Sequence, residues 1–376
     1  MTVTLGPGKL AGTIAAMPSK SDLHRLMIAA YLAEKEINLP VISNDIAATK
    51  ECLRGIYNCR ESGSTLRFLL PVMAAQGRTV TFTGEGRLPE RPMQPLVDLL
   101  RTHGCTIGSD CLPITVSGQL QAGVYTLPGD ISSQYVTGLL FALPLLPGDS
   151  EIILTTPLES AGYVRMTLRT LEKFGIIIEV TPQGYHVPGS QKYLPPEPCA
   201  LTPEADWSNA AFWLAANALG GDVAVTGLDR NSAQPDRAIE QLLLNCAEID
   251  ASQCPDLVPV MAVVMALTPG RHRIYNASRL RLKESDRLRA MAQNLNALGA
   301  DVAELPGGLV IQGKPALRGG QADSRGDHRV AMALAIAALR CEQSVTLCGA
   351  QAVRKSYPAF WEDYQSLGGR YELNVR

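Results

Sequence analysis

Three stretches of this chain repeat one plan: a helical period, a glycine stop, then two short alternating runs ending in glycine. They are Leu96 to Gly118 (LVDLLRTHGCTIGSDCLPITVSG), Met166 to Gly189 (MTLRTLEKFGIIIEVTPQGYHVPG) and Leu288 to Gly313 (LRAMAQNLNALGADVAELPGGLVIQG). The glycine closing each helix (Gly104, Gly175, Gly299) suits the left-handed C′ position, and the alternation after it suits a hairpin. Self-similarity on this scale marks a repeat architecture. A shorter copy, Phe360 to Gly369, keeps the helix and its Leu-Gly-Gly stop with little strand after it. Thr49 to Tyr57 and Ala238 to Cys246 are clipped further, which brings the units to six.

A second kind of helix recurs between these. It is apolar on nearly all sides, as a buried helix should be, and it begins at a polar cluster. The first half has Lys20-Ser21 before Leu23 to Ala33, Gly63-Ser64 before Leu66 to Ala75, and Ser132-Ser133-Gln134 before Val136 to Leu143. The second half has Asp206-Trp207-Ser208 before Ala210 to Leu219, Pro255-Asp256 before Leu257 to Leu267, and Asp327-His328-Arg329 before Val330 to Leu339. Ser and Asp at such places are ordinarily N-caps. Capping leaves Lys20, Arg25 and Arg329 unexplained, because a helix start disfavours cations. An anionic ligand at converging helix ends would resolve the conflict.

A chain of 376 residues, 46% hydrophobic, exceeds what one core usually supports, so two domains are expected. A formal charge of −2 with dispersed Lys and Arg gives no basic surface for nucleic acid. The nine cysteines include no C-x-x-C and the five histidines no H-x-x-x-H, which fits reduced thiols and no metal site. Gly6-Pro7-Gly8-Lys9 lacks the spacing and the Ser/Thr of a P-loop, and no G-x-G-x-x-G follows a strand, so no nucleotide or flavin site is expected. The start lacks the regions of a signal peptide, and apolar stretches such as Val258 to Leu267 are too short to span a bilayer. A cytoplasmic protein is expected.

Seven motifs in order then spell a family. Pro18 to Arg25 (PSKSDLHR), Gly84 to Val97 (GEGRLPERPMQPLV), Asp130 to Gln134 (DISSQ), Asp229 to Asp236 (DRNSAQPD), Leu282 to Arg287 (LKESDR), Gly326 to Ala331 (GDHRVA) and Lys355 to Pro358 (KSYP) resemble those of EPSP synthases. The resemblance covers nearly the whole chain. It implies an α/β protein of the two-lobed enolpyruvyl transferase fold (an inverse α/β barrel), with three βαβαββ units per lobe and the active site between the lobes. It also implies one lobe built from residues 18–203 and the other from 1–17 plus 204–376. The chain departs from the pattern between Asp45 and Glu61 and between Asp236 and Asp256, which are too short for the usual hairpin, so one unit in each lobe reads as shortened. Glu61 and Arg279 stand where many relatives have Asn, and Ala161-Gly162 replaces a common Lys-Pro.

The resemblance further implies two small-molecule substrates, phosphoenolpyruvate and shikimate 3-phosphate, with no cofactor, no metal, and a monomer free of nucleic-acid or membrane partners. It assigns phosphoenolpyruvate to Lys20, Gly63, Arg91, Gln134, Arg287, Arg329 and Lys355, a cation-rich set suited to phosphate and carboxylate. It assigns shikimate 3-phosphate to Lys20, Ser21, Arg25, Ser132, Ser133, Gln134, Ser160, Tyr163, Asp256 and Lys283. Adding the acceptor 5-hydroxyl to C2 while C3 gains a proton needs a base and an acid. The resemblance gives Asp256 to the hydroxyl and Glu284 to C3, with Lys20 assisting at the departing phosphate. Two other readings stay open: the sister transferase acting on UDP-N-acetylglucosamine, whose loop cysteine has no counterpart between Gly84 and Arg91, and a non-catalytic binding relative.

Overall fold

The computed structural model describes residues 1–35, 39–40, 42–197 and 201–374. The chain forms two compact units, one of Met1–Ser19 with Glu204–Arg376 and one of Lys20–Pro203. It opens in the first unit with β1 (Thr2–Leu5) and β2 (Ala11–Ala15). Pro18 forms an antiparallel bridge to Ala205, and the Ser19 amide donates to the Glu204 carbonyl at 2.7 Å. These contacts tie the outgoing and returning segments of that unit together.

The unit of Lys20–Pro203 begins with α1 (Lys20–Leu32), α2 (Asn44–Leu53), α3 (Gly63–Ala75), β3 (Val80–Phe82) and α4 (Gln94–Thr102). It continues with β4 (Cys105–Ile107), β5 (Ile114–Gly118), β6 (Val124–Leu127), α5 (Ser133–Ala142) and β7 (Ser150–Leu154), and ends with α6 (Ala161–Lys173), β8 (Glu179–Thr181) and β9 (Gly184–Val187). The strand order β6-β7-β9-β8, with β6 parallel to β7 and the rest antiparallel, is one complete βαβαββ unit. The sheet β3-β5-β4 follows the same order, its outermost strand reduced to the parallel bridge Asn58 to Thr83. No hairpin follows α2 among the described residues.

The other unit resumes with α7 (Trp207–Ala218), β10 (Asp222–Thr226), α8 (Ile239–Leu244), β11 (Glu248–Asp250), α9 (Val258–Ala266), β12 (Gly270–Tyr275) and α10 (Arg287–Ala297). After β13 (Asp301–Leu305), β14 (Gly308–Gly313), β15 (Gly320–Asp323), α11 (His328–Ala338) and β16 (Val345–Cys348), it closes with α12 (Phe360–Ser366) and β17 (Tyr371–Asn374). The order β11-β12-β14-β13 is again complete, and β10 pairs only with β2, so the shortened unit here is the one ending at α8. The last unit differs from the sequence reading. Its order β15-β16-β1-β17 is full, because the chain start supplies the strand that seemed missing after Phe360 to Gly369. A strand separated from its partners by the whole chain leaves no local trace.

Each unit has its own core built on helices buried all round. Every residue of α9 and α11 is buried, and in α3 only Ser64 is not fully so. The outer helices bury one face only, α4 through Leu96, Val97 and Leu100. Polar side chains from the expected clusters cap α5 (Ser132), α7 (Asp206) and α11 (Asp327), whereas α3 is capped by Ser62, one residue before the expected Gly63-Ser64, and α9 has no side-chain cap. The eight cysteines among the described residues are unbridged, and Cys199 lies outside them. No helix among the described residues is long and apolar enough to cross a membrane.

The crossing of α3 and α5 is close because Gly138 lies against the Arg67 carbonyl, where a Cβ would overlap that oxygen and press on Pro71. Helix propensity alone favours Ala over Gly by about 0.5–1 kcal/mol. We therefore expect Gly138→Ala to reverse that sign and lower stability by about 1–3 kcal/mol through overpacking, read from urea unfolding.

Candidate active site

The start of α10 buries a guanidinium among three carboxylates. Arg287 is 1% exposed. Its Nε donates to Asp327 Oδ2 at 2.8 Å, Nη1 to Asp256 Oδ1 at 2.8 Å and Nη2 to Glu284 Oε2 at 2.7 Å. The second Asp256 oxygen accepts from Arg329 Nη2 at 2.8 Å. Asp327 also caps α11 by accepting from the Arg329 amide at 2.9 Å and takes the Ser285 hydroxyl at 3.1 Å. Lys355, at the end of a 3-10 turn, donates to the Gly326 carbonyl just before that cap at 2.7 Å. One set of ionic bonds thus joins the residues ahead of α9, α10 and α11.

Burial alone would raise the Asp256 carboxyl, but Arg329, Arg287 and Lys283 together hold it below the ordinary carboxylate range. Burial pushes Lys283 down to about 8, with Arg287 and Arg279 pushing the same way and Asp256 and Glu284 opposing them. Lys283, Glu284 and Ser285 lie outside any helix. A 3-10 turn covers Ser278–Leu282, Lys283 is extended, and Asp286 caps α10, so only Arg287 onward is helical. Glu284, three residues before Arg287, still reaches its guanidinium at 2.7 Å.

The unit of Lys20–Pro203 gathers a second group. Lys20 opens α1 and pairs with Asp45 near the start of α2 at 2.8 Å. Arg25 is buried, and three of its donors go to the Ser21 carbonyl (2.5 Å), the Tyr163 carbonyl (2.8 Å) and Thr167 Oγ1 (2.9 Å). It pins α1 to the first turns of α6, where Ser160 stands in the left-handed region at φ 56°. At the starts of α3 and α5, Arg67 Nη1 donates to Gln134 Oε1 at 2.7 Å while Gln134 Nε2 donates to Ser64 Oγ at 2.8 Å. That fixes the Gln134 amide, beside the Ser132 cap and buried Ser133.

Arg91 is the exception to this pairing. It is 7% exposed, its side chain makes no hydrogen bond or ion pair with a described residue, and its Nε is buried without a partner. A buried cation left uncompensated is costly and favours an anion from outside. Its guanidinium occupies the place a Gly63 side chain would take: a Cβ there would lie 2.6 Å from Arg91 Nη1. Gly63 therefore makes room for an arginine.

The cations at helix starts find answers inside each unit, carboxylates for Lys20 and Arg329 and carbonyls for Arg25. Pairing with Asp45 and Asp256 is not visible in sequence because each aspartate comes from a different helix start. Sequence reasoning also missed Arg67 and Asp327. An arginine inside the apolar run Leu66 to Ala75 was a usable signal for the first, and Asp327 looked like an ordinary cap.

Comparison with known proteins agrees with these motifs. The family model described as EPSP synthase (3-phosphoshikimate 1-carboxyvinyltransferase) matches residues 55–248 and 237–364. A 3-phosphoshikimate 1-carboxyvinyltransferase from Clostridium acetobutylicum is 43% identical over 98% of this chain and 97% of that protein. One from Clostridium kluyveri is 41% identical over 98% of each, across 420 aligned positions, so it carries residues this shorter chain lacks. Among solved structures, an EPSP synthase from Acinetobacter baumannii has a TM-score of 0.79 at 22% identity over 99% of this chain and 100% of its own. The enolpyruvyl transferase NikO from Streptomyces tendae has the same TM-score at 18% identity over 100% and 99%, a likeness of fold. With whole-length identity above 40% and the family's motifs in order, the chain belongs to the EPSP synthase (3-phosphoshikimate 1-carboxyvinyltransferase) family.

Proposed function

We propose that this chain transfers the enolpyruvyl group of phosphoenolpyruvate to the 5-hydroxyl of shikimate 3-phosphate, giving EPSP and inorganic phosphate in the shikimate pathway to chorismate and the aromatic amino acids. The observation that carries this reading is the pair of carboxylates, Asp256 and Glu284, held on one buried guanidinium, Arg287. Addition across an enol needs a proton taken from the hydroxyl and a proton given to carbon, and two separately aimed carboxyl groups supply both. We take the two compact units as the two lobes, acting as a monomer in the cytoplasm.

Phosphoenolpyruvate is held by Lys20, Gly63, Arg91, Gln134, Arg287, Arg329 and Lys355. Shikimate 3-phosphate is held by Lys20, Ser21, Arg25, Ser132, Ser133, Gln134, Ser160 and Tyr163, together with Asp256 and Lys283. The acceptor oxygen gives its proton to Asp256 and bonds to C2, while C3 takes a proton from Glu284. Glu284, now a carboxylate, then takes a proton back from the C3 methyl as the tetrahedral intermediate re-forms the double bond and expels phosphate, with Lys20 assisting the leaving oxygen. Without ligands, Arg287 and Arg329 each hold one Asp256 oxygen at 2.8 Å. A carboxylate or phosphate competing for those guanidiniums weakens their hold and raises the basicity of Asp256 when the substrate is in place.

The direct test is phosphate release, expected with phosphoenolpyruvate plus shikimate 3-phosphate and absent with UDP-N-acetylglucosamine as acceptor. Glu284→Gln should slow turnover by roughly 10²–10⁴-fold and suppress exchange of solvent deuterium into the phosphoenolpyruvate methylene, followed by mass spectrometry. Exchange at the wild-type rate would remove Glu284 from the acid role.

Lys283 yields a pH prediction. Its folded value of about 8 lies below the ordinary lysine range, so the free site loses this charge as pH rises through about 8. Affinity for shikimate 3-phosphate should fall over that interval, and Lys283→Arg, which keeps its charge, should flatten the dependence in calorimetric titrations.

A further inference from the structure

Four polar side chains in the unit of Lys20–Pro203 form a line that the proposed chemistry does not use. They are His24 on α1, Thr49 on α2, and Thr65 and Ser62 at the start of α3, all at most 1% exposed. His24 Nδ1 lies 2.7 Å from Thr49 Oγ1, Thr49 Oγ1 lies 2.7 Å from Thr65 Oγ1, and Thr65 Oγ1 donates to Ser62 Oγ at 2.7 Å. Ser62 Oγ also accepts from the Thr65 amide at 3.2 Å, the contact that caps α3.

Counting protons gives the line a direction. A hydroxyl has one proton to donate. Thr65 spends its proton on Ser62, so Thr49 must donate to Thr65, and Thr49 Oγ1 can then only accept from His24. The imidazole proton therefore sits on Nδ1. His24 Nε2 has no hydrogen-bond partner in the structure, which suits a bare lone pair better than a buried N–H. Burial, then Lys20 and Arg25, hold this ring well below the ordinary histidine range, so it stays neutral. The Phe68 ring stands perpendicular to it at 6.3 Å.

We infer that His24, as the neutral imidazole protonated on Nδ1, is a positioning residue that sets the start of α3 through Thr49, Thr65 and Ser62. The inference rests on the functional reading above, because what the line sets is the stretch expected to meet phosphoenolpyruvate. Ser62 fixes where the backbone of Gly63 begins, and Gly63 is the surface on which the Arg91 guanidinium lies. Ser64 follows and holds the Gln134 amide. Thr49 stands one helical turn beyond Asp45, so the same line seats α2, and with it the carboxylate that pairs with Lys20. His24 touches no proposed substrate atom. It acts by holding α1, α2 and α3 in one register.

Two measurements test this. In nitrogen-15 NMR of the full-length protein, the His24 ring should show the neutral Nδ1–H form at about pH 7, and either the Nε2–H tautomer or an imidazolium would overturn the proton count. In kinetics, Thr65→Val keeps the side-chain shape while removing the donor to Ser62 and the acceptor for Thr49. It should raise KM for phosphoenolpyruvate roughly tenfold, the scale of one hydrogen bond in affinity, and KM for shikimate 3-phosphate by clearly less, because Gly63 and Arg91 are assigned to phosphoenolpyruvate alone. His24→Asn, whose amide can donate from the Nδ1 position, should stay close to wild type, whereas His24→Leu should match Thr65→Val. Combining His24→Leu with Thr65→Val should do no further harm, because the line is already cut. Equal rises for both substrates, or additive effects in the double variant, would reduce His24 to ordinary packing. Failure of the wild-type protein to consume phosphoenolpyruvate would overturn the functional reading instead, and the tautomer would still decide the proton count.

Discussion

The buried guanidinium of Arg287 is the interaction on which one whole unit depends. A cation at a helix start opposes the macrodipole, and burial adds a desolvation cost of several kcal/mol. Both are met only if carboxylates arrive from elsewhere, which is what Asp256, Glu284 and Asp327 do. The same contacts join the residues ahead of three helices, so the charge requirement and the helix arrangement are one constraint. Apolar packing around α9 and α11 supplies the stabilisation that lets such a costly cluster persist.

The other unit solves a similar problem with different chemistry. Lys20 has one carboxylate, Arg25 has carbonyls, Arg67 has an amide oxygen, and Arg91 has no hydrogen-bonded or ion-paired partner among the described residues. A neutral line of hydroxyls and one imidazole joins α1, α2 and α3. One half is thus dense in paired charge, and the other keeps a cation in reserve. That contrast suits a reaction in which one set of groups moves protons and another holds a phosphate.

Gly63 shows how a small residue acts through a large one. Its missing side chain is the space Arg91 fills, so the start of this helix is shaped by an arginine that follows it by the whole helix, a strand and a turn. Gly138 does the same for packing, where α5 meets the backbone of α3. In both cases the residue matters because of what approaches it, a property no local pattern contains.

The sequence by itself determined the repeat, because helix period, glycine stop and strand alternation are local consequences of backbone geometry. Gly104, Gly175 and Gly299 adopt the positive φ that their places in the pattern required. The two shortened units were legible as missing length, and the caps Ser132, Asp206 and Asp327 as polar residues before apolar runs. The family motifs marked which residues to gather. Only the tertiary structure decided which charges meet: Lys20 with Asp45, Arg329 with Asp256, and Arg287 with three carboxylates at once. It also decided that β1, the first strand, completes the last unit. The division has one cause. Local conformation is set by neighbours within a few residues, whereas ionic pairing depends on distances of a few ångströms between residues far apart in the chain, and those exist only after the helices have packed.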